Sequence, residues 1–166
     1  MFETSSLIYQ AIMLVSFCAM IVDGNIDNRE VDFNEVIFRE SPAAEETHYA
    51  KMANYYIDAV NADPDAFMEG YFNALEENPL SKEEKISLFG IADSLIRADG
   101  EITEKEIQFL MLTKAQLGLK YEEVMSEFPK LELFHEKRGG DEAAEETAIR
   151  KFVKSLDLPK FSHLNE

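Results

Sequence analysis

Cysteine, basic residues and long uninterrupted apolar runs are scarce in this chain, and each scarcity narrows what it does. A single Cys among 166 residues closes no intrachain disulfide and builds no Cys-rich zinc site. That argues against a stapled secreted scaffold and leads us to expect a reducing, cytoplasmic setting. Lys and Arg number 16 against 33 Asp and Glu, a formal net charge of -17. Phosphate neutralisation needs clustered cations, so nucleic acid and anionic membrane surfaces are not expected as direct partners. The sequence has no G-x-x-x-x-G-K-[ST] phosphate loop and no His-Pro-Asp signature of a J domain, which leaves ATPase and co-chaperone activity without support. Strand-like alternation of apolar and polar residues is missing too.

The most apolar stretch, Leu7 to Val22, carries fourteen apolar or aromatic residues in sixteen, interrupted by Gln10 and Ser16. A spanning helix needs ~20 apolar residues. No Lys or Arg precedes Arg29, so the basic start of a signal peptide is missing. The segment reads as a helix buried on most sides, without membrane insertion.

What the chain does have is helical spacing. Tyr49, Met52, Ala53, Tyr56, Ile57 and Val60 follow i, i+3, i+4, i+7, i+8, i+11, one face of a helix. Met68, Tyr71, Phe72 and Leu75 repeat the rule, as do Leu88, Ile91, Ala92, Leu95 and Ile96, and Ile149, Phe152, Val153 and Leu156. Helix starts are marked by side chains that accept hydrogen bonds from unpaired first-turn N–H groups, often with Pro at the first helical position. Ser41-Pro42 and Asp63-Pro64 fit that pattern. Ser81 with Glu84, and Thr103 with Glu106, have capping-box spacing, and Asp27 with Glu30 is a near relative. These signals predict an all-α fold, a compact bundle of seven to eight short helices at 6–22, 28–39, 42–60, 64–77, 82–98, 104–117, 121–127 and 142–156. Residues 129–166 read as a segment of the same globular unit, with one docked helix and a loose tail in which Phe161 and Leu164 are available to pack.

An internal repeat carries the functional reading. At an offset of 76, Asp23-Gly24-Asn25-Ile26-Asp27-Asn28-Arg29-Glu30-Val31 lies over Asp99-Gly100-Glu101-Ile102-Thr103-Glu104-Lys105-Glu106-Ile107, and Phe33 falls on Phe109. Each copy sits between two helices, so a duplication giving two pseudo-symmetric helix-turn-helix halves is the economical explanation. In the plain reading, Gly ends the first helix, Ile anchors the turn in the core, and Glu30 and Glu106 complete capping boxes.

The alternative starts from the EF-hand loop, where Gly makes the bend and a terminal Glu gives two oxygens. Asp23 and Asp99 fall at its fifth position, the glycines at the sixth, and Glu30 and Glu106 at the twelfth. Positions one and three are Ala19 and Ile21, or Leu95 and Arg97, so the acidic first half is missing. Calcium prefers ~6–8 oxygens, which one turn does not supply. Two turns facing each other would pool Asp23, Glu30, Asp99 and Glu106, with Asp27 and Asp93 as weaker additions. Asp93 also has Arg97 four residues on, a ready ion-pair partner. Such hard oxygen donors favour Ca2+ or Mg2+ over softer metals.

At these residues the sequence resembles the tellurite-resistance TerB family and TerB-like domains such as the one attached to the DjlA co-chaperone. The similarity rests on Ala98-Asp99-Gly100-Glu101-Ile102-Thr103-Glu104-Lys105-Glu106 followed by Gln116-Leu117-Gly118-Leu119. The first copy departs in having Val22 before Asp23-Gly24. The similarity spans residues 7 to 128, giving a duplicated unit at 1–128 and no counterpart for 129–166. It implies a compact all-helical domain, acidic turn residues as proposed divalent-metal ligands, and no enzymatic activity. It also implies links to tellurite and other chemical stress, to phage or colicin resistance, and to a protein partner, membrane-associated in some cases.

Other candidates carry less. Glu45-x-x-His48 has the spacing of carboxylate-bridged di-iron helices, but such a bundle needs two copies plus further glutamates. His135 and His163 lie in the less regular C-terminal region, with no Cys, Ser-containing motif or other His nearby in sequence. Cys18 reads as a small core residue, and Asp141, Glu142, Glu145 and Glu146 as a solvated helix start. Two functions are therefore expected to compete: a calcium-favouring TerB-like protein, and a metal-independent helical adaptor whose Asp-Gly turns are structural.

Overall fold

The computed structural model describes residues 2–26, 28–40, 48–77, 79–98, 100–129 and 146–165. Among them lie eight α-helices and no strand: α1 (Phe2–Ile21), α2 (Asn28–Arg39), α3 (Tyr49–Ala62), α4 (Pro64–Glu77), α5 (Lys82–Arg97), α6 (Glu104–Gln116), α7 (Tyr121–Glu127) and α8 (Glu146–Ser155). The fold is all-α, as the apolar spacing predicts.

From Ala11 onward helix α1 forms the centre, because there it has almost no polar side chain to give to water. Every residue from Val15 to Val22 is buried, with Ala11 and Met13 before them. A helix that is apolar all round needs neighbours on all sides; α1 packs most extensively on α5 and also against α2 and α4. Among the described residues no helix is long and apolar enough to cross a membrane.

The amphipathic helices close around it. Tyr71 and Phe72 of α4 meet Phe109 of α6, with Tyr71 and Phe109 stacked at 5.4 Å between centroids, and Phe72 reaches Phe152 of α8 at 6.0 Å. Burial of each such side chain is worth about 1.5–3 kcal/mol. Two polar groups carried inward are paired across helices: the Tyr71 hydroxyl with Thr113 Oγ1 at 2.9 Å, and Gln116 Nε2, which donates to the Phe72 carbonyl at 3.1 Å.

The junctions follow the capping signals. Asp63 Oδ1 accepts from the Ala66 N–H at 3.1 Å, with Pro64 opening α4. At α5 the Ser81 N–H donates to Glu84 Oε1 at 3.0 Å, and Ser81 Oγ accepts from the Glu84 N–H at 3.2 Å. The glycines of the duplicated turns share a conformation. Gly24 has φ 84° and Gly100 φ 81°, the left-handed region where a β-carbon is costly. Gly24 N–H donates to the Ile21 carbonyl at 2.8 Å, and Gly100 N–H to the Arg97 carbonyl at 3.1 Å, equivalent places in the repeat. Ile26 and Ile102 pack against the core from both turns.

Two expectations change, and a third falls outside the described residues. Helix α3 begins at Tyr49, not at 42, because His48 holds an extended φ -94°, ψ 152° as its N-cap; residues 41–47, including the Ser41-Pro42 signal, Glu45 and Glu46, lie outside the described residues. Helix α8 is described from Glu146, and the predicted start at 142 lies outside as well. The segment after α8 is not loose: it runs back over α3, where two asparagines hold its backbone and Phe161 and Leu164 pack on the core.

Candidate functional site

The predicted ligand set is only partly assembled by the described residues. Asp27 and Asp99 lie outside them, as does the side chain of Glu30, so the pooled four-carboxylate arrangement is seen through Asp23 and Glu106 alone. Asp23 is exposed beyond the end of α1, and its Oδ1 accepts from the Asn25 N–H at 3.0 Å, an Asp-led turn two residues long.

Glu106 stands differently. It is 3% exposed on the first turn of α6, and its Oε1 accepts from the Thr103 N–H at 2.9 Å while Thr103 Oγ1 accepts from the Glu106 N–H at 3.2 Å. This is a complete capping box, with the carboxylate at the positive end of the helix dipole. A calcium ligand of the EF-hand kind presents both carboxylate oxygens to the ion, whereas one of these is committed to the backbone.

Asp93 is also engaged. Arg97 Nε donates to both of its carboxylate oxygens at 3.0 Å, the i, i+4 pair that the spacing suggests. Burial raises the Asp93 carboxyl above its ordinary range, and the Arg97 hydrogen bond and charge pull the other way. Among the described residues no group of three His, Cys, Asp or Glu side chains converges as a metal site. The described carboxylates thus serve as a cap, a turn acceptor and an ion-pair partner.

The remaining candidates separate. His135 lies outside the described residues, and His48 is an exposed N-cap. Cys18 is buried within α1, and burial pushes its thiol well above the ordinary value, which disfavours the nucleophilic thiolate.

His163 belongs to an arrangement the sequence reading missed. Asn54, Asp58 and Asn61 share one face of α3 at i, i+4, i+7. Asn54 Nδ2 donates to the Leu164 carbonyl at 3.0 Å and Asn54 Oδ1 accepts from the Leu164 N–H at 2.7 Å. Asn61 repeats this on Phe161, at 2.9 Å in each direction. Between them Asp58 Oδ1 meets His163 Nε2 at 2.6 Å, and Lys160 Nζ donates to the Asn61 carbonyl near the end of α3. The signal available beforehand was faint, two asparagines seven residues apart beside an apolar stripe, a spacing that ordinary solvated helices also show.

Comparison with known proteins finds no match for this chain among protein-family models, curated proteins or solved structures.

Proposed function

We propose that the chain is a non-enzymatic, TerB-like helical interaction module, in which the two Asp-Gly turns are helix connectors and the fold needs no ion. The observation that carries this reading is Glu106: a carboxylate 3% exposed, with one oxygen on the Thr103 N–H at 2.9 Å, does what a capping residue does. Asp93 held by Arg97 and Asp23 held by the Asn25 N–H support it in the same way. The interaction side of the reading is supported by α3, whose polar face holds an extended backbone through side chains alone. The competing reading, Ca2+ or Mg2+ pooled between the turns, has the duplicated acidic pattern in its favour.

Thermal unfolding separates the two. Wild type and the Asp23→Asn, Asp99→Asn double variant are melted in chelator, then in added calcium and in added magnesium. An ion that binds only the native state at 100 times its dissociation constant adds ~2.7 kcal/mol. That corresponds to several degrees, at ~2–4 °C per kcal/mol for a chain of this size. The module reading expects no ion-dependent shift in either protein. A shift in the wild type that the double variant loses would replace it with the metal reading.

A further inference from the structure

The contact between α3 and residues 160–164 has a register that points to a recognition site. Asn54 and Asn61 are seven residues apart, roughly 10.5 Å along a helix rising 1.5 Å per residue. Leu164 and Phe161, the residues they hold, are three apart, roughly 10 Å in an extended chain. The two repeats coincide, so each asparagine meets both the N–H and the C=O of one residue, and the segment runs antiparallel to α3. A side-chain amide that pairs with both backbone groups of a residue reads extended conformation and not residue identity.

Identity is read beside the ladder. Phe161 and Leu164 turn their side chains onto the core, where Leu164 also reaches the smaller cluster of Met13, Phe38, Tyr49 and Ala53. The polar side chains flank them: His163 Nε2 meets Asp58 Oδ1, and Lys160 Nζ donates to the carbonyl of Asn61. Lys160, Ser162 and His163 are otherwise exposed, and Phe161 and Leu164 are only half-buried, so the segment lies on the surface and is not built into the interior. The groove thus selects an extended strand of pattern Lys-apolar-x-His-apolar, and a body of net charge -17 favours a Lys-bearing ligand over an acidic one.

We propose that this face of α3 is a binding groove for an extended peptide of that pattern supplied by a partner protein, and that the chain's own residues 160–164 are its resident competitor. The proposal rests on the interaction-module reading and names its site and ligand class. Tethering a ligand through a short linker gives it a millimolar effective concentration. The resident segment therefore sets a threshold that a partner peptide must exceed, and loosening it exposes the groove.

The test uses the full chain and a fluorescent peptide of sequence Asp-Leu-Pro-Lys-Phe-Ser-His-Leu-Asn, the chain's own residues 157–165. Binding is measured by anisotropy to the wild type, to Phe161→Ser with Leu164→Ser, and to that variant carrying Asn54→Ala and Asn61→Ala. The expected result is binding to the loosened variant at least about tenfold tighter than to the wild type, and its loss when the asparagines are removed. Equal binding to the first two proteins, binding that survives removal of both asparagines, or no binding to any of them would overturn the proposal. If the variants do not fold, excess peptide added to isotope-labelled wild type decides the same question. The Phe161 and Leu164 amides should leave their bound positions as the peptide takes them, and amides that do not move would overturn the proposal. A concentration-dependent dimer exchanging this segment between copies would assign the groove to a second copy, and overturn it as well. Running each arm in chelator and in calcium keeps the two readings apart: failure of the groove leaves the ion-independent melt untouched, and binding that appears only with calcium sinks the metal-free module instead.

Discussion

Replacing Glu106 in two ways distinguishes a cap from an ion ligand. Glutamine serves at the third helical position of a capping box as glutamate does, so Glu106→Gln keeps an acceptor for the Thr103 N–H now seen at 2.9 Å. What it loses is charge at the start of α6, worth about 0.3–1 kcal/mol. Glu106→Ala loses the acceptor, about 0.5–1.5 kcal/mol net. It also loses the one methylene that alanine does not keep, from a side chain that is 3% exposed, at roughly 0.8 kcal/mol. The expected costs are therefore about 0.5 kcal/mol for Gln and about 2–3 kcal/mol for Ala. With ~2–4 °C per kcal/mol for a chain of this size, calorimetry should find a loss of a degree or two for Gln and roughly 5–10 °C for Ala, the same in chelator and in calcium. Glutamine as damaging as alanine, or a deficit that depends on calcium, would refute the capping argument, because the cap asks only for the one acceptor oxygen that glutamine keeps.

Two further outcomes follow from the buried groups. The Asp93 carboxyl is raised from its ordinary 3.8 by burial, against the pull of Arg97. A raised acid holds its proton in the native state over a range where the unfolded chain has released it, so its contribution to stability is full below the unfolded value and declines as pH rises through the native one. Asp93→Asn should remove that decline. A wild-type minus variant difference in urea midpoint that stays constant from about pH 3.5 upward would refute this assignment. For Cys18, buried and with its thiol pushed up, reaction with an exposed-thiol reagent should wait for unfolding and accelerate with denaturant; immediate stoichiometric labelling of the native protein would contradict the burial.

The parts of the fold legible beforehand are those whose cause is local. The apolar spacing of 68–75 and 88–96, and the caps at Asp63, Ser81 and Thr103, depend on residues within one or two turns of each other, and the helices start where those residues stand. The duplicated turns were legible for the same reason, since Gly24 and Gly100 must each take up a left-handed φ. The function of their carboxylates was not, because one residue type serves as cap, ion-pair partner or metal ligand, and only the partner atom tells which. The docking of residues 160–164 was out of reach for a different reason. Its logic is a match between helix rise and strand rise across about a hundred positions of sequence, and nothing near Phe161 or near Asn54 announces it.

If the Asp-Gly turns are connectors and not ion sites, residue-resolved amide spectra of the labelled full chain during a calcium titration will show it. The amides of Gly24, Gly100, Ile102 and Glu106 should keep their positions as calcium rises to millimolar concentration, with changes confined to weak, non-saturating drifts at exposed carboxylates. Saturable shifts concentrated on both turns, Gly24 and Gly100 moving together, would contradict the account and place a shared cation between the two halves.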